Sequence, residues 1–374
     1  MSNLNSKKER VYGIDLLRVI LSLWVVMIHV LFFGGPITKA TIEDHGFYVA
    51  WFMGSAIICT VNCFALVSGY VMYNQTFKYT TVLRYYLAVL YHGLVITLIV
   101  YLRSPWLVTS EEWLQALLPV SHSEFWYFSS YFCLFFFMPV LIQGMRSLSK
   151  KQASTLVVSL LLVLSVLPHI TDSDPFLLNQ GFSALWLAGL FVIGTYLGKY
   201  GEQLKLSKST LVACYVVCVC VSFLGIVLSE IIPSLEGRKL IDYNAPTTAI
   251  AAIALVLLFA GVSVPKPIAK ISRFCAPFSL SIYLLHEQPL VRQTQIMNRF
   301  VEITYLPVPQ MIFMVLLISL VIWLICFALE FIRKGIFRIL RVETLLQKIE
   351  DKLNDWGVYQ PSEQKGMIFR NNDD

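Results

Sequence analysis

The feature that most constrains this chain is a series of ten apolar stretches, each close to the length of a membrane-spanning helix. An α-helix needs about twenty mainly apolar residues to cross the hydrocarbon core of a bilayer. Only 14% of the 374 residues are charged, whereas soluble domains contain about 25%. Hydropathy places the stretches at residues 14–33, 49–73, 82–102, 125–145, 153–170, 182–198, 209–229, 245–264, 274–290 and 307–332. We therefore expect an all-α integral membrane protein with about ten transmembrane helices, of which the ninth is the least regular.

The Lys and Arg residues are distributed unequally between the two sides of this arrangement. If the amino terminus and every second loop lie inside, twenty-two of these residues lie on that side and six on the other. Cytoplasmic loops of membrane proteins carry an excess of Lys and Arg. We therefore expect both termini in the cytoplasm. The same bias explains the net charge of +6 and requires no nucleic-acid partner.

Three regions follow from this pattern. They are a basic cytoplasmic head at residues 1–13, a transmembrane domain at 14–332 and a basic cytoplasmic tail at 333–374. The tail is expected to begin as an interfacial helix near residues 333–353 and to end disordered. The first stretch lacks a small-residue cleavage site at its end, so we expect it to remain as an anchor. The eight cysteines lie within or beside apolar stretches, which predicts packing roles and no metal site.

Four polar residues lie within the first apolar stretch. They are Asp15, Arg18, Ser22 and His29. At 100° per residue they share one arc of about 60°, and the arginine and the histidine are about 16 Å apart along the axis. Because polar groups are costly in hydrocarbon, this arc is expected to face protein or a wet cavity. The alternatives are an arginine that reaches the membrane surface and a histidine that only makes a helix contact.

Other polar and aromatic candidates lie further along the chain. Ser68 precedes Gly69, and such small residues let another backbone come close. A nucleophilic role for Ser68 is not expected, because Gly-x-Ser-x-Gly is absent. His92 is expected to make a helix contact.

The outer segment 103–124 contains both acidic and aromatic residues, as do sugar-binding surfaces and interfacial aromatic belts. The polar and aromatic residues concerned are Trp106, Glu111, Glu112, Trp113, His122 and Glu124.

The ninth stretch carries a second polar face. Ser279, Tyr283 and His286 are spaced four and three residues apart, which places them on one side of a helix. Glu287 follows directly. The expected topology brings His286 and Glu287 to about the depth of His29. These residues are therefore candidate neighbours of His29.

Four blocks of this sequence resemble the acyltransferase family 3 membrane proteins, in order, over roughly residues 10–335. Arg18, ten further residues and His29 resemble the family's Arg-x10-His signature. The other three blocks are Phe64 to Tyr70, which resembles Phe-x-x-x-Ser-Gly-Tyr/Phe; Phe125-Trp126-Tyr127, which resembles Trp-Phe-Leu; and Ser281 to His286, which resembles Ile-Tyr-Leu-x-His. The aromatic block departs from the family pattern, because Tyr127 and Phe128 stand where Phe-Leu is usual. No soluble esterase-like domain follows the membrane domain, although some members carry one.

The resemblance implies transfer of an acyl group, usually acetyl from acetyl-CoA, to a carbohydrate hydroxyl across the membrane. It also implies that Arg18 and His29 are the essential pair. The residues from Gln288 to Arg292 look most like members from cell-surface polysaccharide gene sets. This points to O-acetylation of a capsule, exopolysaccharide or lipid-linked glycan at a bacterial plasma membrane.

The polar arc suits this chemistry. We expect Arg18 and Arg84 to hold the phosphate end of CoA, because a guanidinium is always charged and binds oxyanions in a bidentate manner. His29 is expected to act as the base, with a covalent acyl-histidine relay as the alternative. Asp15 is expected to orient the guanidinium of Arg18 or to serve as a helix-start acid. Supporting or acceptor-side roles are expected for Ser68, Tyr70, Trp126, Tyr283, His286 and Glu287.

Two other classes of function share some of these features. A transporter or flippase for a glycan or anion would also have many spans and a polar wall. Against it, the two halves of the sequence contain no matching pair of helices broken by Gly or Pro. A membrane sensor would bind a cell-wall ligand without chemistry, but the tail of about forty residues is too small for an output domain.

Overall fold

The structure is a computed structural model that describes residues 10–122, 125–232 and 234–357. This part of the chain is helical and contains no β-strand. Its α-helices are α1 (Tyr12–Leu31), α2 (Pro36–Lys39), α3 (His45–Ile57), α4 (Thr60–Met72), α5 (Thr80–Arg103), α6 (Ser110–Leu117), α7 (Trp126–Ser147), α8 (Lys150–Leu161), α9 (Leu167–Thr171), α10 (Ala184–Tyr200), α11 (Lys208–Ile231), α12 (Pro246–Ala260), α13 (Lys266–Cys275), α14 (Ser279–His286), α15 (Pro289–Val291), α16 (Val308–Ile339) and α17 (Val342–Asp355). The predicted all-α integral membrane fold is confirmed.

Nine segments of the described chain are long and apolar enough to cross a membrane. They are Tyr12–Lys39, His45–Met72, Thr80–Arg103, Trp126–Ser147, Lys150–Thr171, Lys208–Ile231, Gly237–Ala260, Lys266–His286 and Val308–Ile339. They correspond to nine of the ten predicted stretches. The remaining stretch, residues 182–198, forms α10, which has 17 residues, twelve of them buried. This helix is shorter than each of the nine segments and is enclosed by its neighbours on most sides.

Helix α1 lies at the centre of the bundle. It packs against seven other α-helices, namely α2, α3, α4, α12, α13, α14 and α16. Leu17, Leu21 and Val26 on this helix are fully buried. Because lipid tails are as apolar as these side chains, close packing and hydrogen bonds stabilise such contacts more than the hydrophobic effect does. Both ends of the polar arc on α1 are therefore held in place by surrounding protein.

Helices α4 and α10 approach each other through glycines. A Cβ atom at Gly69 would lie 2.0 Å from the carbonyl oxygen of Phe191, and one at Gly194 would lie 2.0 Å from that of Leu66. Any larger residue at either position would push the two backbones apart. The prediction that the Ser68-Gly69 pair admits a neighbouring backbone is confirmed.

The ninth segment begins earlier than its hydropathy indicates. Its helix starts at Lys266, eight residues before the predicted start, and continues through a 3-10 turn into α14. Hydropathy missed α13 because this helix is amphipathic: Lys266, Lys270 and Arg273 share one face, while Ala269 and Ser272 are buried on another. Helix α14 ends at His286, since the following Gln288 is extended before a proline, which disfavours the helical conformation.

The tail beyond residue 332 contains two helical parts instead of one. Helix α16 continues to Ile339, and α17 then folds back against α5. The carboxylate of Glu350 accepts hydrogen bonds from the backbone N–H and hydroxyl of Thr80, at 2.9 and 2.7 Å. The expected disorder at the end of the tail concerns residues 358–374, and part of the expected head is residues 1–9; both lie outside the described residues.

A buried charged cluster joins α5 to α16. Arg333 donates two hydrogen bonds, of 2.7 and 2.6 Å, to the carboxylate of Glu330. His92 Nε2 lies 3.0 Å from the same carboxylate. All three side chains are buried. The prediction that His92 makes a helix contact is confirmed. His92 contacts the ion pair that Glu330 forms with Arg333 on α16.

We predict that Glu330→Ala strongly destabilises the protein. The substitution leaves the buried Arg333 without a counter-charge, and breaking a buried pair in this way costs about 3–5 kcal/mol. The matched control is Glu343→Ala, which breaks an equally bidentate but exposed pair with Arg84 and is expected to cost about 1 kcal/mol or less. Unfolding midpoints in SDS titrations of the reconstituted protein measure both. Equal losses would contradict the assignment of Glu330 as the helix-joining charge.

Candidate active site

Of the four polar residues on α1, two make structural contacts and two are candidate functional groups. Ser22 donates to the carbonyl oxygen of Val19 at 2.7 Å and accepts from Trp323 Nε1 on α16 at 2.9 Å. Asp15 accepts two hydrogen bonds from Arg10, at 2.5 and 3.0 Å. These two residues fix α1 among its neighbours. Arg18 and His29 remain as the groups available for chemistry.

The expected pairing of Asp15 with Arg18 is therefore wrong. Arg10 lies just before α1 and folds over its first turn, so its guanidinium reaches the buried carboxylate in bidentate geometry. Arg18 extends instead toward the interior tyrosines. Asp15 acts on the start of α1, which agrees with the alternative role of a helix-start acid.

His29 meets residues of α14 at the far end of α1. Its Nδ1 atom lies 2.8 Å from Nε2 of His286 and 3.4 Å from Oε1 of Glu287. Arg292 donates from Nη1 to the other oxygen of Glu287 at 3.1 Å. The His29 side chain is 13% exposed and that of Glu287 is 7% exposed. His29, His286 and Glu287, which were predicted to share one depth, are thus in direct contact. We name these residues together with Arg292 the His29 cluster (His29, His286, Glu287 and Arg292).

The hydrogen bonds of this cluster determine which nitrogens carry protons. Nδ1 of His286 lies 2.5 Å from the carbonyl oxygen of Ile282. A carbonyl only accepts, so Nδ1 of His286 donates, and in the neutral ring Nε2 is then the acceptor. Nδ1 of His29 must then donate to that Nε2. This assignment leaves Nε2 of His29 with a free lone pair, the form that a base requires.

Aromatic rings enclose the His29 cluster. The ring of His29 stacks on Phe33, with centroids 5.4 Å apart, and the guanidinium of Arg292 lies 5.2 Å from the centroid of the same ring. Tyr283 lies 6.4 Å from His29 and contacts Phe125 edge-on at 6.0 Å. Two polar atoms of the cluster, Oε1 of Glu287 and Nε of Arg292, are buried without a hydrogen-bond partner. Such atoms can bind a further polar group.

Arg18 faces a group of interior hydroxyls. Its backbone carbonyl accepts from the hydroxyl of Ser279 at 3.2 Å. Its guanidinium interacts electrostatically with Tyr127 and Tyr131. Tyr131 donates to Ser68 at 3.3 Å. Within the described residues the Arg18 side chain has no carboxylate partner, so its charge is available to an anion.

The remaining predicted site residues lie apart from His29. Arg84 donates to both oxygens of Glu343, at 2.8 and 2.7 Å, and these bonds hold the pKa of Glu343 below its ordinary value. Trp126 stacks on Tyr243 at 5.4 Å in an aromatic group that includes Phe182. Tyr70 packs against α10, where its carbonyl lies close to Gly198. Of the outer segment, Glu124 lies outside the described residues.

Sequence reasoning did not single out Arg292 and Arg10. Arg292 lies five residues after Glu287, and the chain between them is a helix end, a proline and the start of a π turn. No helical spacing would have paired the two residues. Arg10 precedes the first helix and was counted only as part of a basic head. The sequence signal that could have paired Arg10 with Asp15 is a carboxylate in the first turn of a helix with a cation just before that helix.

Three groups of the cluster have the spacing of a metal-ligand set. Ligand atoms of His29, His286 and Glu287 all lie within 4.8 Å of one another. The sequence gave no sign of this set, because His29 and His286 are 257 residues apart. The 2.8 Å contact between the rings is the length of a hydrogen bond, and Arg292 already supplies a positive charge to Glu287. We therefore interpret the group as a hydrogen-bonded cluster that orients His29, and the absence of a metal stays a prediction.

Comparison with known proteins identifies the family. The sequence model of the acyltransferase 3 family, described as an acyltransferase domain, matches residues 11–339, nearly the whole chain. The match includes both His29 and the α14 residues that contact it. No curated protein and no solved structure matches the chain. The chain therefore belongs to the acyltransferase 3 family and is a membrane acyltransferase.

Proposed function

We propose that this protein transfers an acetyl group from cytoplasmic acetyl-CoA to a hydroxyl of a cell-surface or lipid-linked polysaccharide at a bacterial plasma membrane. The observation that carries the proposal is the His29 cluster. It leaves His29 with a free Nε2 lone pair inside the bundle, on the same helix as an unpaired arginine. An acyltransferase needs both a base for the acceptor hydroxyl and a cation for the donor. These two groups lie about 16 Å apart along α1.

Arg18 is the residue best suited to hold the phosphate end of the donor. Its guanidinium lacks a carboxylate partner in the described chain and lies near the hydroxyls of Tyr127 and Tyr131. A long pantetheine arm extending from Arg18 toward His29 would deliver a thioester carbonyl to the cluster. Arg84 could bind the phosphate end of the donor only after its ion pair with Glu343 breaks. We therefore assign it a secondary role at the same end of the bundle.

At the other end of α1, His29 performs the proton transfer. Its Nε2 accepts the proton of the acceptor hydroxyl while the hydroxyl oxygen bonds to the thioester carbon and the thiolate leaves. Glu287, 3.4 Å from Nδ1, stabilises the positive charge that forms on the ring. Arg292 donates a hydrogen bond to the other oxygen of Glu287 and so holds this carboxyl group in place. In the alternative relay, the same Nε2 would first accept the acyl group and then pass it to the hydroxyl.

The outer aromatic residues support a carbohydrate acceptor. Trp106 is 77% exposed, and the face of an aromatic ring stacks well on the apolar face of a sugar. Glu112 on α6 and Gln288, which directly follows Glu287, line one small pocket with Phe125. Carboxylate and amide groups bind sugar hydroxyls. This pocket therefore lies where an acceptor chain could approach the cluster.

The first prediction concerns His29. His29→Ala is expected to lower acetyl transfer by about 100-fold or more, because it removes the base. The assay measures CoA release and the acetyl methyl signal of the glycan with purified protein in nanodiscs. Wild-type turnover that depends on acetyl-CoA also separates this function from a transporter. An inserted, monodisperse His29→Ala protein with wild-type turnover would overturn the proposal.

Arg18 allows a separate test of donor binding. Arg18→Ala is expected to raise KM for acetyl-CoA by about tenfold or more, the loss of one charge-assisted interaction. Arg18→Lys should restore only part of this, because a lysine cannot bind in bidentate geometry. Arg84→Ala is the matched control and should have a smaller effect, since Glu343 already binds that guanidinium. An unchanged KM in Arg18→Ala would remove Arg18 from the donor site.

The tautomer assignment predicts a graded series at His286. His286→Leu removes the acceptor for Nδ1 of His29 and should lower kcat by about 10- to 100-fold with little change in KM. His286→Gln offers a carbonyl oxygen at a similar position and should recover part of the loss. Steady-state kinetics in nanodiscs measure both values. Equal activity of the Leu and Gln variants would contradict a role for His286 in orienting His29.

A further inference from the structure

An open groove lies at the end of the bundle where α1 begins, between α13 and the last turns of α16. Its volume is about 760 Å³. Its charged lining consists of four basic side chains, Lys270, Arg273, Lys334 and Arg338, and among the described residues no acidic side chain lines it. Phe274 and Phe331 form apolar walls and are 53% and 57% exposed. The groove thus combines a concentrated positive charge with exposed apolar surface.

The charges of this groove differ from three arginines at the same end of the bundle. Arg10, Arg84 and Arg333 each bind a carboxylate. By contrast, Lys270, Arg273 and Arg338 have no hydrogen bond or ion pair within the described chain, and Lys334 lies 3.4 Å from the centroid of the Phe278 ring. Clustered cations repel one another unless an anion compensates them. Among the described residues no carboxylate pairs with Lys270, Arg273 or Arg338, so these three side chains are available to an external anion.

The position of the groove along the helices indicates its depth. The apolar part of α16, Val308 to Ile332, is about 37 Å long, slightly more than the hydrocarbon core of about 30 Å. Lys334 and Arg338 therefore lie where the core meets the headgroups. Helix α13 is amphipathic at the same level, with Ile268, Ile271 and Phe274 exposed beside its basic face. This is the depth at which basic pockets between membrane helices bind lipid headgroups.

We propose that this groove binds the phosphate headgroup of an anionic phospholipid, with its acyl chains against Phe274 and Phe331. The exposed apolar walls favour an amphiphile over a free nucleotide, which would leave that surface uncovered. Arg18 does not line the groove, so the donor site is separate from it. The proposal does not depend on acyl transfer, because no residue of the groove belongs to the His29 cluster. A bound lipid would hold α13, which continues into α14, against α16.

The test measures lipid binding by native mass spectrometry of the full chain in detergent. The probes are phosphatidylglycerol and, as the zwitterionic control, phosphatidylcholine. We expect phosphatidylglycerol to bind at least about tenfold more tightly, and Arg273→Gln/Arg338→Gln to abolish most of that preference. The matched control, Lys150→Gln/Lys151→Gln, removes the same charge from exposed positions at the start of α8 and should change the affinity less than twofold. Equal binding of both lipids to the wild type would overturn the proposal.

A second pair of variants tests the shape of the groove without changing its charge. A Cβ atom at Gly335 would meet nothing within 4 Å, so the ring of Gly335→Phe extends into the groove without a clash at its base. This variant should lower phosphatidylglycerol affinity by about tenfold. Gly144→Phe is the control, because its Cβ position is equally open but lies outside the groove. Wild-type affinity in Gly335→Phe would contradict the location.

Competition distinguishes a lipid site from a nucleotide site. Adenosine 3′,5′-bisphosphate, the anionic end of CoA, and inorganic phosphate are added at millimolar concentration to the lipid-bound protein. Retention of phosphatidylglycerol is the expected result. Displacement of the lipid by the nucleotide would assign the groove to the acyl donor and overturn the lipid proposal.

Discussion

The arrangement of this protein depends on the cost of placing polar groups in hydrocarbon. A charged side chain at the centre of a bilayer costs at least about 2.5–3.5 kcal/mol, and partners within the protein must offset that cost. Helix α1 carries four polar residues within its apolar stretch, and seven α-helices pack against it. The contact between His29 and His286 joins residues that are 257 positions apart. The same requirement that closes the bundle around α1 therefore also assembles the candidate active site.

Most charged groups inside the bundle are paired, and this makes the exceptions informative. Glu330, Arg333 and His92 satisfy one another, and Asp15 is satisfied by Arg10. Arg18 has no such partner in the described chain, although it lies in the first membrane segment. An unpaired intramembrane arginine is costly for stability and useful for binding an anion. The distribution of pairs thus separates residues that hold the fold together from residues available to substrates.

Much of the fold was predictable from the sequence, because the bilayer fixes both the length and the composition of a spanning helix. Nine of the ten apolar stretches are candidate spans. Two details differ from the hydropathy pattern for physical reasons: α10 is a short helix of 17 residues enclosed by others, and the amphipathic α13 has a low average hydropathy despite being helical. Side-chain pairing was less predictable. The expected topology indicated that His29, His286 and Glu287 lie at one depth, but the sequence pattern could not show that Arg10, and not Arg18, binds Asp15.

The account rests on one feature of His29, namely that its Nδ1 proton is committed to His286 and its Nε2 lone pair is free. Nitrogen-15 NMR of the histidine-labelled protein in lipid bilayers measures this directly, with His29→Gln identifying the His29 signals. The account predicts a protonated Nδ1 and an unprotonated Nε2 for His29. A proton on Nε2 of His29, with Nδ1 bare, would contradict it, because no lone pair would then face the substrate.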